Sequence, residues 1–183
     1  MPNWCMNDLT IKADSKEELQ DVLSKIRSEE SALCFERICP TPPELKDTTS
    51  PSNKGSLDCS LTRLNGIFTG EVKDYRDWHE FRLGEWGTKW NVEVDEDRVV
   101  EISDTEVAMG FDSAWSPPAQ IIDKLISKFP KASFCLDYFE PGCCFAGTYA
   151  DGIDVNFSDE DEGYRSFAEE KFGWDFSYEE EDN

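Results

Sequence analysis

Two amphipathic helix patterns, set between strand-like runs joined by short turns, predict an α+β fold. The architecture that accommodates them best is a mainly antiparallel, ferredoxin-like sheet with helices packed on one face. Three observations carry this prediction. Apolar periodicity changes between 2 and 3.6 residues in the order strand, helix, strand, loop, helix, three strands, helix, strands. Apart from one helical connection, the strands beyond residue 90 are separated by acidic or Pro-Gly turns, which is hairpin spacing. At 183 residues the chain suits one domain with appendages and a substantial core.

In order, Asn3 to Lys12 reads as a strand. Trp4, Met6, Leu9 and Ile11 alternate imperfectly, with a register change near Asn7-Asp8 that fits a bulge. Ser15-Lys16-Glu17-Glu18 has capping-box spacing, and Leu19, Val22, Leu23 and Ile26 follow at helical intervals, so a helix is expected over about 16–29. Leu33 to Ile38 is a short strand candidate ended by Pro40. Residues 41–60, rich in Pro, Thr, Ser and Asn, read as a long exposed loop. Asp74 to Leu83 reads as a helix capped by Asp74 and stopped at Gly84. The Trp86-Gly87-Thr88-Lys89-Trp90 corner leads into a three-strand meander: Asn91 to Val94, Arg98 to Ser103, and Glu106 to Ala114.

Ser116-Pro117-Pro118 starts a second amphipathic helix, with Ser as cap and Pro at the first helical position. Ile121, Ile122, Leu125, Ile126 and Phe129 line one face of it, and Pro130 ends it. Strands at Ser133 to Phe139, Cys143 to Ala150 and Gly152 to Phe157 complete a domain over 1–157. Residues 158–183 form an acidic, aromatic C-terminal segment. Within it, Tyr164, Phe167 and Phe172 suit an amphipathic helix from about Glu162 to Phe172, stopped by Gly173. Docking on the sheet and presentation to a partner are both open uses of that face.

Forty acids against 18 bases give a formal charge of -22. A field of that sign repels phosphate backbones and anionic membranes, so no direct nucleic-acid or membrane binding is expected. The partner it favours is a host protein with a basic surface. Thirteen acids and two bases fall between Asp151 and Asn183, which places half of the net charge in that stretch. The first residues lack the basic and apolar regions of an export signal. Seven cysteines, an odd number without repeated Cys-x-x-Cys spacing, then read as free thiols in the reducing cytoplasm of a host bacterium.

Four blocks carry a family resemblance: Met1-Pro2-Asn3-Trp4-Cys5-x-Asn7-x-Leu9-x-Ile11; Trp86 to Trp90; Phe111-Asp112-Ser113-Ala114-Trp115-Ser116-Pro117-Pro118; and Tyr138 to Gly142 with Phe145-Ala146-Gly147. Together they resemble the YubB-like proteins of bacterial plasmids and phages, which contain a ferredoxin-like domain. The resemblance implies that fold and a mobile-element accessory protein. It transfers no catalytic residues.

The residues themselves point the same way. His79 is the sole histidine, flanked by Trp78 and acids and by no nucleophile motif. Cys34 with Cys39, and adjacent Cys143 with Cys144, lack zinc-ligand spacing. The runs Asp95 to Asp97 and Asp159 to Glu162 lack a calcium-loop pattern, and no phosphate-binding glycine motif is present. The expectation is therefore no catalytic residue, no metal and no cofactor.

The preferred reading is a non-enzymatic phage or plasmid protein that inhibits or modulates a host defence or nucleic-acid-handling complex, mimicking nucleic acid with its acids. The partner-binding candidates are Asp159, Glu160, Asp161, Glu162, Glu169, Glu170, Trp174, Asp175, Glu179 and Glu180. The alternative is a small-ligand or nucleotide pocket, enzymatic or not, rimmed by Arg76, Trp78, His79, Trp86, Lys89 and Trp115. Among the indoles, Trp4, Trp90 and Trp115 are expected in the core, while Trp78 and Trp86 stand between core and pocket.

Overall fold

The computed structural model describes residues 3–50 and 75–177. Its six strands are β1 (Trp4–Lys12), β2 (Val99–Ser103), β3 (Glu106–Ala114), β4 (Ser133–Glu140), β5 (Phe145–Ala150) and β6 (Ile153–Ser158). They form one antiparallel sheet in the order β2-β3-β1-β4-β5-β6. The helices are α1 (Lys16–Ile26), α2 (Phe35–Ile38), α3 (Pro43–Lys46), α4 (Trp78–Trp86), α5 (Ala119–Lys128) and α6 (Gly163–Phe172). The α+β class and the ferredoxin-like sheet are as predicted: β1-α1-β2-β3-α5-β4 is the split β-α-β pattern, and β5 and β6 extend it beyond β4.

β1 lies at the centre, paired to both β3 and β4 without a break. No bulge occurs at Asn7-Asp8. Cys5, Asn7, Leu9 and Ile11 face the main core, and Trp4, Met6, Asp8 and Thr10 face the other side. A polar residue sits among the inward positions because its bonds are met: Asn7 Nδ2 donates to Cys5 O at 2.7 Å and to Ser113 Oγ at 2.9 Å.

The main core joins Leu9, Ile11, Met109, Phe111, Phe134 and Leu136 of the sheet to α1, α2, α4 and α5. Ser15 caps α1 by accepting from the Glu18 N–H at 3.2 Å, and α1 buries Leu19, Val22 and Ile26, ending at Arg27. The cap of α4 is Asp77, which accepts from the His79 and Glu80 N–H groups at 3.0 and 2.9 Å. The expected cap, Asp74, lies outside the described residues. The helix stops at Gly87, where φ is +84° and a Cβ would stand 2.0 Å from Gln120 Oε1, so the stop is three residues beyond Gly84. α5 begins at Ala119 instead of Pro117. Ser116 Oγ does not cap it but donates to Gly87 O at 2.6 Å, tying the α5 entry to the end of α4.

Two expected strands are differently built. Leu33 to Ile38 ends in the helical turn α2, which turns both Phe35 and Ile38 inward at i, i+3. Residues 91–94 bury Val92 and Val94 in the predicted alternation, yet their hydrogen bonds go to residues 31–35 and not to the sheet. Val94 O accepts from Ala32 N at 2.9 Å, the Val94 N–H donates to Ser31 Oγ at 2.8 Å, and Asn91 Oδ1 accepts from Phe35 N at 2.7 Å. The meander is therefore the β2-β3 hairpin alone. Residues 41–50 of the expected loop include α3; residues 51–60 lie outside the described residues.

A second core lies on the opposite face. Phe139 and Ala146, with Met6 and Phe157 partly covered, pack against Tyr164, Ala168, Phe172, Trp174 and Phe176 of α6 and its continuation. The C-terminal aromatics thus dock on the sheet. Among the described residues no helix is long and apolar enough to cross a membrane, and all six described cysteines are free.

Candidate functional site

The acidic candidates are fixed by what their apolar neighbours do. Because Tyr164 and Ala168 point into the second core, Glu169 and Glu170 point to solvent. Asp159, Glu160, Asp161 and Glu162, in the turn between β6 and α6, are also exposed. Asp161 accepts from the Ser158 N–H at 2.8 Å and from its hydroxyl at 2.9 Å; these bonds hold its carboxyl below the ordinary aspartate range. Asp175 is exposed and lowered in the same way by the Ser177 N–H. Glu179 and Glu180 lie outside the described residues. The described acids form an array held on a helix and a tight turn, with Lys171 turned away to pair with Asp137 at 2.8 Å.

The six residues expected to rim a pocket do not converge on one. Trp86 is fully buried, its Nε1 donating to Cys39 O at 2.8 Å and its ring edge-on to Phe35 at 5.8 Å, so it belongs to the core. Trp78 is half-buried, with the Arg82 guanidinium lying 5.2 Å from its ring and 4.5 Å from that of Trp86. Arg82 also donates to Glu36 at 2.9 Å, filling the space a ligand cation would need. His79 packs edge-on against Trp78, and Arg76 is spent on Glu80. Lys89 lies over the Trp90 ring at 4.6 Å.

Two of the three indoles expected in the core are at the surface, and the third is half-buried. Trp4 is 50% exposed and Trp115 49% exposed. Trp115 adopts φ +72°, a left-handed conformation unusual for a bulky residue, held by its N–H donating to Asn3 O at 3.0 Å.

A cleft of about 820 Å³ opens where the sequence pointed to none. Trp4 from the start of β1, Trp90 from the approach to β2, and Trp174 from beyond α6 line it, with Trp4 and Trp90 centroids 5.9 Å apart. Its charged lining is Glu93, Glu140 and an Arg98–Asp112 pair at 3.1 Å. Glu140 is almost wholly buried and accepts the Gly142 and Cys143 N–H groups, which shapes the turn at the cleft's edge. One signal in the sequence marks Trp4. In an unbroken strand it cannot share a face with Leu9 and Ile11, so treating the register change as a bulge hid its outward position. The convergence of Trp90 and Trp174 depends on loop paths that carry no periodic signal. Among the described residues, no group of three or more His, Cys, Asp or Glu is placed to hold a metal ion.

A split β-α-β sheet extended by a hairpin and covered on its second face by a C-terminal helix defines a ferredoxin-like α+β protein. The chain belongs to a family described as "Ferredoxin-like domain in Api92-like protein", whose model matches residues 85–183. The match begins near the end of α4, so the sheet's central strand, β1, lies outside it. Among solved structures the chain is similar to protein api92 from Yersinia pseudotuberculosis, at 12% identity and a TM-score of 0.40, over 86% of this chain and 98% of that one. No curated protein matches the chain.

Proposed function

We propose that the chain is a non-enzymatic binding protein whose acidic C-terminal surface engages a host protein with a basic, nucleic-acid-accepting groove and blocks it. The observation that carries this reading is the docking of α6. By burying its aromatic side against Phe139, the segment presents Glu169, Glu170 and the 159–162 acids as a fixed array instead of a loose tail. A fixed array pays less ordering entropy on binding, and its charge speeds encounter with a basic groove. The resemblance of the four sequence blocks, taken together, to YubB-like proteins supports a plasmid or phage origin, and hence a host defence or nucleic-acid-handling complex as the target.

The test is capture from host lysate at low salt. The expected result is a basic partner that duplex DNA releases and that a Glu169→Lys/Glu170→Lys variant retains at least tenfold less well. A partner held equally by that variant, or indifferent to DNA, sinks the reading. A second reading, a small-ligand site, is favoured by the three-tryptophan cleft, and it moves the pocket from the Trp86 end of the corner to the Trp90 end.

A further inference from the structure

The cleft brings together three tryptophans from distant parts of the chain on the face of the sheet that α6 leaves partly open. Trp4 and Met6 project there from β1, beside Asp112 of β3, which is paired in register with Met6. The Trp90 ring already takes one cation, the Lys89 ammonium, at 4.6 Å. The charged lining is three carboxylates against one guanidinium. Glu140 is used by two backbone N–H groups and Asp112 by Arg98. Glu93 is exposed and pairs with no base among the described residues.

We infer that this cleft takes an arginine side chain of a basic protein partner, stacked on the Trp4 and Trp90 rings and balanced by Glu93. The inference rests on the binding reading above and gives the partner a second point of attachment. Charge complementarity selects a cation, because an indole face and an unpaired carboxylate both favour positive charge. Shape and hydration select arginine over lysine: a guanidinium is planar, stacks on aromatic faces and is more weakly hydrated than an ammonium. At about 820 Å³ the cleft has room for the side chain together with its flanking backbone, as in a peptide segment.

The probe is an acetylated, amidated Arg-Gly-Arg peptide, compared with its citrulline and lysine counterparts, with indole N–H shifts in NMR spectra as the readout. The arginine peptide is expected to bind saturably and to shift the Trp4 and Trp90 signals. The citrulline peptide should bind at least about tenfold more weakly, and the lysine peptide about threefold. Trp4→Ala should weaken the arginine peptide about five- to tenfold, Trp4→Phe only two- to threefold, and Glu93→Gln about threefold, in line with the strength of cation–π contacts. Trp4 is half exposed, so these changes leave the core intact, and a thermal melt checks that they do. Equal binding of arginine and citrulline peptides, binding of neither, or binding insensitive to Trp4→Ala overturns the inference, the second pattern in favour of a neutral planar ligand if one shifts the same signals. Partner capture separates the two levels. If charge reversal on α6 abolishes capture and Trp4→Ala leaves it unchanged, the cleft assignment falls and the acidic-surface reading stands; if Trp4→Ala weakens peptide and partner alike while charge reversal does nothing, the cleft stands and that reading falls.

Discussion

Asp8 is the residue most at odds with its surroundings. It stands directly opposite Asp137 across the β1-β4 ladder, and its Oδ1 is buried with no hydrogen-bond partner among the described residues. Asp137 has its own supports, Lys171 from α6 and the Thr148 hydroxyl. Burial first, and the Asp137 charge second, push the Asp8 carboxyl above its ordinary value, with Lys171 opposing them. The folded chain therefore keeps this proton to higher pH than the unfolded chain, so stability falls as pH rises from near 3.8 through the raised value. Asp8→Asn, which needs no charge there, is expected to raise stability at pH 7 by about 1 kcal/mol, or roughly 2–4 °C in Tm. The gain should shrink as pH falls from 7 toward 4 and Asp8 itself takes up a proton. Thermal melts of both proteins across that range check it, and a variant that melts lower at pH 7 would show the ionised carboxylate to be stabilising.

At the scale of elements, the second core hinges on Phe139. Its ring meets those of Tyr164, Phe172, Trp174 and Phe176 at centroid distances between 5.2 and 6.4 Å. Phe139→Ala should cost about 3–5 kcal/mol locally. Because α6 packs chiefly on β4, β5 and β6, the loss should appear as rapid hydrogen exchange across 163–172 while the β1 amides stay protected. Uniform acceleration throughout the sheet would show instead that α6 is integral to the whole fold. The helices with a strong apolar stripe, α1 and α5, were legible in the sequence because periodicity and caps agree. Helix α6 was legible too, but whether its aromatics dock or face outward depends on Phe139 and Phe157, whose exposed side cannot be assigned without knowing what covers it. The 91–94 run shows the converse: its alternation was read correctly, and its hydrogen-bond partners, Ser31 to Phe35, were not, since pattern fixes a segment's faces and not its neighbours.

For the molecule as a whole, a formal charge of -22 sets acids against one another over much of the surface. Raising NaCl from about 10 to about 200 mM shortens the screening length from roughly 30 Å to below 10 Å. The Tm should rise by about 2–4 °C as self-repulsion is screened; a melt that does not move would mean the ion pairs lost to salt offset that relief. Fold class and charge distribution were both legible because they sum many residues. The cleft was not, because it depends on three tryptophans that meet only when the sheet order is known. That order has a consequence for how the chain is made. The central strand is synthesised before both of its partners, and about 100 residues, roughly 5–20 s of translation, separate it from β3, the first strand it can pair with. For those seconds Leu9 and Ile11 emerge with no sheet to join, and the nascent chain must be kept from pairing with its neighbours on the same polysome.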